Sequence, residues 1–279
     1  MSARVETTPA PTVRRSLPGQ LLAVAASKWV LRVLSLVTVL ALWQLIGEHY
    51  PYSLSDPATI VRDVRASWGS EIVPAFGETL GSFALGYAIC VFAGIPLGLL
   101  MARSRLAELS MSPYVFALYA TPRLALIPVM ILWLGVTFEL RLAVVVVSGV
   151  FPILVNTYLG AKEVSRDHLD VGVAFAAKPL RALRTIVVPG SLHYIFAGMR
   201  IGLGRALVGM IVAEITTSVF GVGNLIQESA QTLEIGRMWG AIILLGFFAL
   251  TCSSLIKFAE RWTTMPWTRT RRLPWPSRP

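Results

Sequence analysis

SRDHLDVGVAFAAKPLRALRTIVVP, residues 165 to 189, is a charged island held between long apolar stretches. Its local chemistry specifies two short helices. Ser165 or Asp167 caps the first, and Asp170 in its first turn complements the helix dipole. Lys178-Pro179 stops it, because the residue before a proline disfavours helical geometry. The second runs from about Leu180 to Val187, carries Arg181 and Arg184 on a hydrophilic face and ends near Pro189. The first exposes Leu169, Val173, Phe175, Ala176 and Ala177 in a loop with no room for a core of its own. These side chains either seat in a groove of a partner or pack against the ends of the flanking apolar segments.

Outside the island the chain is too apolar for a soluble domain. It has 279 residues, 55% hydrophobic and 14% charged, with a mean hydropathy of +0.66. The charged fraction of a soluble domain is nearer a quarter. Crossing a hydrocarbon core about 30 Å thick takes about 20 mainly apolar residues. Charge-free runs of that kind extend over Thr79 to Ala102, Leu142 to Ala161 and Met238 to Ile256. Three further apolar segments are interrupted: Val33 to Gly47, Leu109 to Phe138 with Arg123 inside it, and Thr185 to Gln227 with Arg200, Arg205 and Glu214 inside it. The expectation is an all-α polytopic membrane protein with six spans near 30–48, 79–101, 113–135, 140–160, 191–215 and 237–258.

Six spans place both termini on one side, and the distribution of Lys and Arg names that side. Eighteen of the 25 lie in the N-terminal tail, the second-to-third loop, the island and the C-terminal tail. Only Arg62, Arg65, Arg141 and Arg237 fall on the other face. Both termini and the island are therefore expected in the cytoplasm. The net charge of +10 is read mainly as this insertion signal, with contact to anionic lipid second and nucleic acid not expected as a partner.

The expected organisation is a tail over 1–28, one six-span domain over 29–262 containing the loop 161–190, and a second tail over 263–279. The Arg14-Arg15 pair is followed by an apolar run too short for a signal peptide, so it reads as part of the first tail. On the outer side, Glu48 to Glu78 holds an amphipathic stretch, Ala58 to Trp68, expected as one short helix near the membrane surface. Cys90 and Cys252 read as small apolar side chains, and His49, His168 and His193 lack metal-ligand spacing. No metal or cofactor is expected.

Gly86, Gly94 and Gly98 in the second span, with Gly198, Gly202 and Gly204 in the fifth, allow close backbone approach. Pro96, Pro113, Pro122, Pro128 and Pro152 free backbone carbonyls that must be satisfied by protein or water, which suits a bundle with a wet interior. Charges in lipid are costly and usually face an aqueous path or a partner. Arg200 and Arg205 sit where long side chains snorkel to the interface. Arg123, midway along the third segment, faces a pore or pairs structurally, and with Asn156 it is expected to line a path favouring a small anion. Glu214 is the third path candidate, although hydrogen bonding to the loop Thr216 to Gly236 accounts for it better than proton relay.

The loop spacing resembles that of the permease subunits of bacterial ATP-binding cassette importers that work with a binding protein, nearest the sulfonate, taurine and nitrate group. In that family the loop carries Glu-Ala-Ala, a Gly, nine residues and Ile-x-Leu-Pro. Here Asp170-Val171-Gly172 stands at the first position, Ala176 at the Gly, and Ile186-Val187-Val188-Pro189 at the end. The likeness continues through Gly94 to Leu99, Phe151 to Thr157, Ala197 to Arg205, Val212-Ala213-Glu214 and Gly221 to Ile226, covering roughly residues 50 to 262. A type I importer permease fold follows from this resemblance, with the loop as a coupling helix.

The resemblance implies that Leu169, Asp170, Gly172, Val173, Phe175, Ala176 and Pro189 couple to a separate cytoplasmic ATPase. It also implies a substrate-binding protein, a second permease chain and a bacterial inner-membrane location. The chain has no G-x-x-x-x-G-K-[ST] phosphate loop, so it is not expected to hydrolyse ATP itself. The implied substrate is a small anion such as a sulfonate, taurine or nitrate, with a pyrimidine-type vitamin precursor as the alternative. An intramembrane enzyme would need paired catalytic side chains in the spans, and none is present. A channel or secondary transporter would typically show repeats or several membrane carboxylates.

Overall fold

A computed structural model describes residues 28–50, 54–165, 170, 174–176, 178–217, 219 and 221–268. It is all-helical, with no strand among those residues. Residues up to Thr59 form one compact unit and those from Ile60 onward a second. The first unit holds α1 (Lys28–His49), whose Trp43 Nε1 donates to the Ser55 carbonyl at 3.2 Å. Asp56 then starts α2 (Pro57–Ser67) by accepting from the Thr59 amide at 3.0 Å, and that bonding holds its carboxyl below the ordinary range.

In the second unit, a π-helical turn over Trp68–Ile72 joins α2 without a break to α3 (Val73–Arg103). The amphipathic stretch is thus one helix, continuous at its end with the helix of the second apolar segment. Its Ile60 and Val64 lie against Gly240 of α10 (Ile235–Thr268), where an added Cβ would collide with Val64.

The third apolar segment is two helices. α4 (Arg105–Ala120) and the following pair, a 3₁₀ turn over Arg123–Leu126 and α5 (Ile127–Leu134), meet at an angle of 89°. Proline at position 122 causes the break. Thr121, in front of it, is driven to φ −65°, ψ 138°, and Pro122 has no N–H with which to continue the ladder. Gly135 at φ +67° closes α5, its amide bonded to the Ile131 carbonyl at 2.8 Å. Thr137 then caps α6 (Phe138–Glu163) by accepting from Leu140 N at 3.3 Å.

The other prolines leave their helices continuous: Pro96 lies inside α3, Pro113 inside α4 and Pro152 inside α6. Nor does Pro189 end a helix. α7 (Pro179–Ala182), a π turn over Leu183–Val187 and α8 (Val188–Thr217) form one run of 39 residues. The π turn, bonded i to i+5, shifts the ladder just before Pro189, which stands in the first turn of α8 where a missing N–H costs little. A short helix α9 (Gly221–Gln231) follows α8 and precedes α10. Among the described residues, five helices are long and apolar enough to span a membrane, six when the bent pair counts as one.

α6 is the centre of the bundle, packed against α3 on one side and α8 on the other. Lipid is as apolar as these side chains, so the association rests on close packing. Glycine permits it: a Cβ on Gly98 would lie 2.6 Å from the Leu154 carbonyl, and one on Gly202 would lie 2.9 Å from the Gly149 carbonyl. Gly204 departs from that pattern, since nothing lies within 4 Å of its added Cβ. Val145, Ile153 and Met210 are fully buried between these helices.

Candidate functional site

The break in the third segment opens a cavity of about 410 Å³. The lining includes Tyr119, Thr121 and Arg123 from the bend, Ser148 from α6, and Arg205 and Val208 from α8. Local sequence explains how Arg123 comes to face it. Pro152 cannot donate to the carbonyl four residues before it, so the Ser148 carbonyl in α6 lacks its helical partner. Arg123 Nη1 donates to that carbonyl at 3.3 Å, and its guanidinium lies 5.5 Å from the centre of the Tyr119 ring. A proline on one helix thus anchors an arginine from another.

Arg205 is exposed on the open side of α8 and makes no hydrogen bond or ion pair among the described residues. Position alone assigns Arg200 and Arg205 the same snorkelling role; the structure separates them. Arg200 pairs with Glu260 of α10, which also meets His193 Nδ1 at 2.7 Å. Arg205 shares the cavity with Arg123. Asn156, one turn beyond Pro152, donates to the Pro152 carbonyl at 2.8 Å and packs against Gly198 of α8. It is not among the residues lining the cavity.

Glu214 sits elsewhere, fully buried where α3, α8 and α9 meet. It accepts from Thr79 Oγ1 at 2.8 and 3.0 Å and from the Gly223 amide at 2.9 Å. Thr79 Oγ1 in turn accepts from Val222 N at 2.9 Å, and Glu78 takes the Gly221 amide at 3.0 Å. Gly221 has φ +82°, and a Cβ on Gly223 would come within 2.5 Å of Glu214 Cβ. The start of α9 therefore closes over the carboxylate in a space that only glycine fits.

At the opposite end of α6, Glu108 of α4 accepts from Tyr158 at 2.7 Å and pairs with Lys162. The island follows. Asp170 is helical and exposed there, Phe175 is 84% exposed, and Ala176 turns the chain at φ +50°. Ala176 stands where the resembling family carries Gly, and its left-handed backbone gives the physical reason for that preference. Pro189 is half-buried in α8. Leu169, Gly172 and Val173 lie outside the described residues.

Residues 94–264 match the family model for the binding-protein-dependent transport system inner membrane component. The chain belongs to this family. It is a permease subunit of an ATP-binding cassette importer and a multi-pass membrane protein, from a transporter class whose ATPase is a separate subunit and which works with a substrate-binding protein.

Among relatives of this permease, the aliphatic sulfonates transport permease protein SsuC of Bacillus subtilis (strain 168) is 28% identical over 243 residues, covering 84% of this chain and 86% of that protein. The bicarbonate transport system permease protein CmpB of Synechocystis sp. is 27% identical, covering 82% and 86%. The nitrate import permease protein NrtB of Leptolyngbya laminosa is 25% identical, covering 88% and 87%.

Sequence reading reached Arg123 and missed Arg205, Ser148 and Tyr119 as cavity residues. The signal for Ser148 is its place four residues before a mid-helix proline. Nothing in the sequence marks Arg205, because the face it presents on α8 is set by packing and not by its depth along the span.

Proposed function

We propose that two copies of this permease together form the path of an importer for a small anion. The observation that carries this reading is a cavity lined, among the described residues, by two guanidiniums and by no carboxylate. Cations held without a counter-charge in a membrane bundle are costly, and an anion in transit would offset that cost. The relatives named for sulfonates, bicarbonate and nitrate are named for small anions. An uncharged pyrimidine precursor would leave both charges uncompensated.

A binding protein on the outer face delivers the anion, and a separate ATPase hydrolyses ATP in the cytoplasm. Docking of that ATPase falls to Leu169, Asp170, Gly172, Val173, Phe175 and Ala176, with Pro189 at the base of the loop. The bare Phe175 side chain and the tight turn beside it support this assignment. The chain lies in the bacterial inner membrane with both termini cytoplasmic, a reading supported by the Lys and Arg excess on that side.

Uptake by cells carrying the transporter with its cognate ATPase and binding protein is the test. Sulfonate, bicarbonate or nitrate should enter, and Arg123→Ala at normal expression should reduce entry about tenfold or more. Unchanged uptake of the anion by that variant would exclude the cavity as its path. For the docking element, Gly172→Trp should abolish co-purification of the ATPase while membrane insertion stays normal, and retained co-purification would sink it.

A further inference from the structure

We infer that the Arg123 and Arg205 cavity is a binding site belonging to the permease itself, which takes a small oxyanion between the two guanidiniums without help from the binding protein. The inference rests on the small-anion reading above. It adds a chemical class and assigns Arg205 as the second determinant.

Two other arginines of this bundle are already neutralised: Arg200 by Glu260, and Arg237 by Glu71 and Glu234. Arg123 and Arg205 differ. Arg123 spends one N–H on the Ser148 carbonyl, leaving most of its five donors unused. Arg205 spends none among the described residues. A guanidinium is a planar fork that binds two oxygens of one anion together, and a single-atom halide cannot be bound in that way. The hydroxyls sharpen the class further. Thr121 Oγ1 already donates to the Ala117 carbonyl at 2.9 Å, and Ser148 is buried with its hydroxyl beside Gly209. Tyr119 is the remaining hydroxyl-bearing residue among those lining the cavity.

Size and mounting fit a transit site. At about 30 Å³ per water, the 410 Å³ cavity accepts a small oxyanion with part of its hydration, so it selects by charge and oxygen geometry more than by shape. Arg123 rides on the short turn at the bend, whereas Arg205 belongs to the long α8 rod. Relative movement of those two elements would part the two forks and release the anion.

The experiment uses permease and ATPase assembled in lipid nanodiscs, binding protein omitted, titrated calorimetrically with methanesulfonate, bicarbonate, nitrate and chloride. At least one of the three oxyanions should bind, and chloride should bind at least tenfold more weakly. Arg205→Gln should weaken binding about tenfold or more, Arg205→Lys should lose less, and Lys257→Gln, outside the cavity, should change nothing. Unaltered binding by a folded Arg205→Gln assembly overturns the assignment, as does chloride binding equal to that of the oxyanions. Oxyanion uptake by the full transporter, with no binding to the assembly, overturns this site and leaves the small-anion reading standing. Uptake confined to neutral or cationic solutes overturns both.

Discussion

Two charged places in this bundle meet the cost of ionisable groups in a membrane in opposite ways. Glu214 is sealed: 0% exposed, covered by α9 and bonded to Thr79 and Gly223. Arg123 and Arg205 are open, sharing a cavity that offers them, among the described residues, one carbonyl, an aromatic ring and no negative side chain. A membrane charge with every partner inside the fold reads as architecture. One whose partners stop short of neutrality reads as a place for something that arrives.

The sharpest way to break this contrast is to remove each charge in turn. Glu214→Ala strands the Thr79 hydroxyl and the Gly223 amide and should cost about 3 to 5 kcal/mol of stability. Thermal unfolding in detergent measures it, and a stable Glu214→Ala protein would remove the architectural reading. Gly223→Ala attacks the same seal through its lid and should cost about 1 to 3 kcal/mol by overpacking. Arg123→Ala strands only the Ser148 carbonyl at the cavity wall and should cost about 1 kcal/mol, while uptake falls about tenfold or more.

Smaller changes sharpen the comparison. Pro152→Ala supplies an N–H to the Ser148 carbonyl, so Arg123 loses its anchor while α6 loses nothing; uptake should fall about threefold with stability held or raised. Ala176→Gly relieves left-handed strain at φ +50°, partly offset by the freedom glycine gives the unfolded loop. The net gain should stay below about 1 kcal/mol, read as slightly tighter ATPase co-purification.

Span identities were legible because hydropathy over 20 residues is a bulk property, insensitive to local detail. The expected spans 140–160 and 191–215 lie inside α6 and α8. Local geometry was not legible to the same degree. Arg123 was found because it is a charge in mid-segment, but the 89° turn beside it depends on where Pro122 falls relative to the packing of α6. Arg205 was not legible as a cavity residue because sequence gives depth along a span and not the face it presents. Glu214 was legible as a residue serving the following loop, since a lone acid before a Gly-rich stretch has amides within reach. The continuous π-to-α run through Pro189 carried no sequence signal, because a bulged helix and a broken one spend prolines alike.

The run from Pro179 to Thr217 is continuous, so with the ATPase docked as proposed it would act as one lever reaching the cavity. At 1.5 Å per residue, Arg205 stands about 39 Å along it from Pro179, so a tilt of about 5° pivoting at the loop would swing that arginine by roughly 3 Å. That is the length of a hydrogen bond. A stroke too small to look like a conformational change would suffice to let go of the cargo.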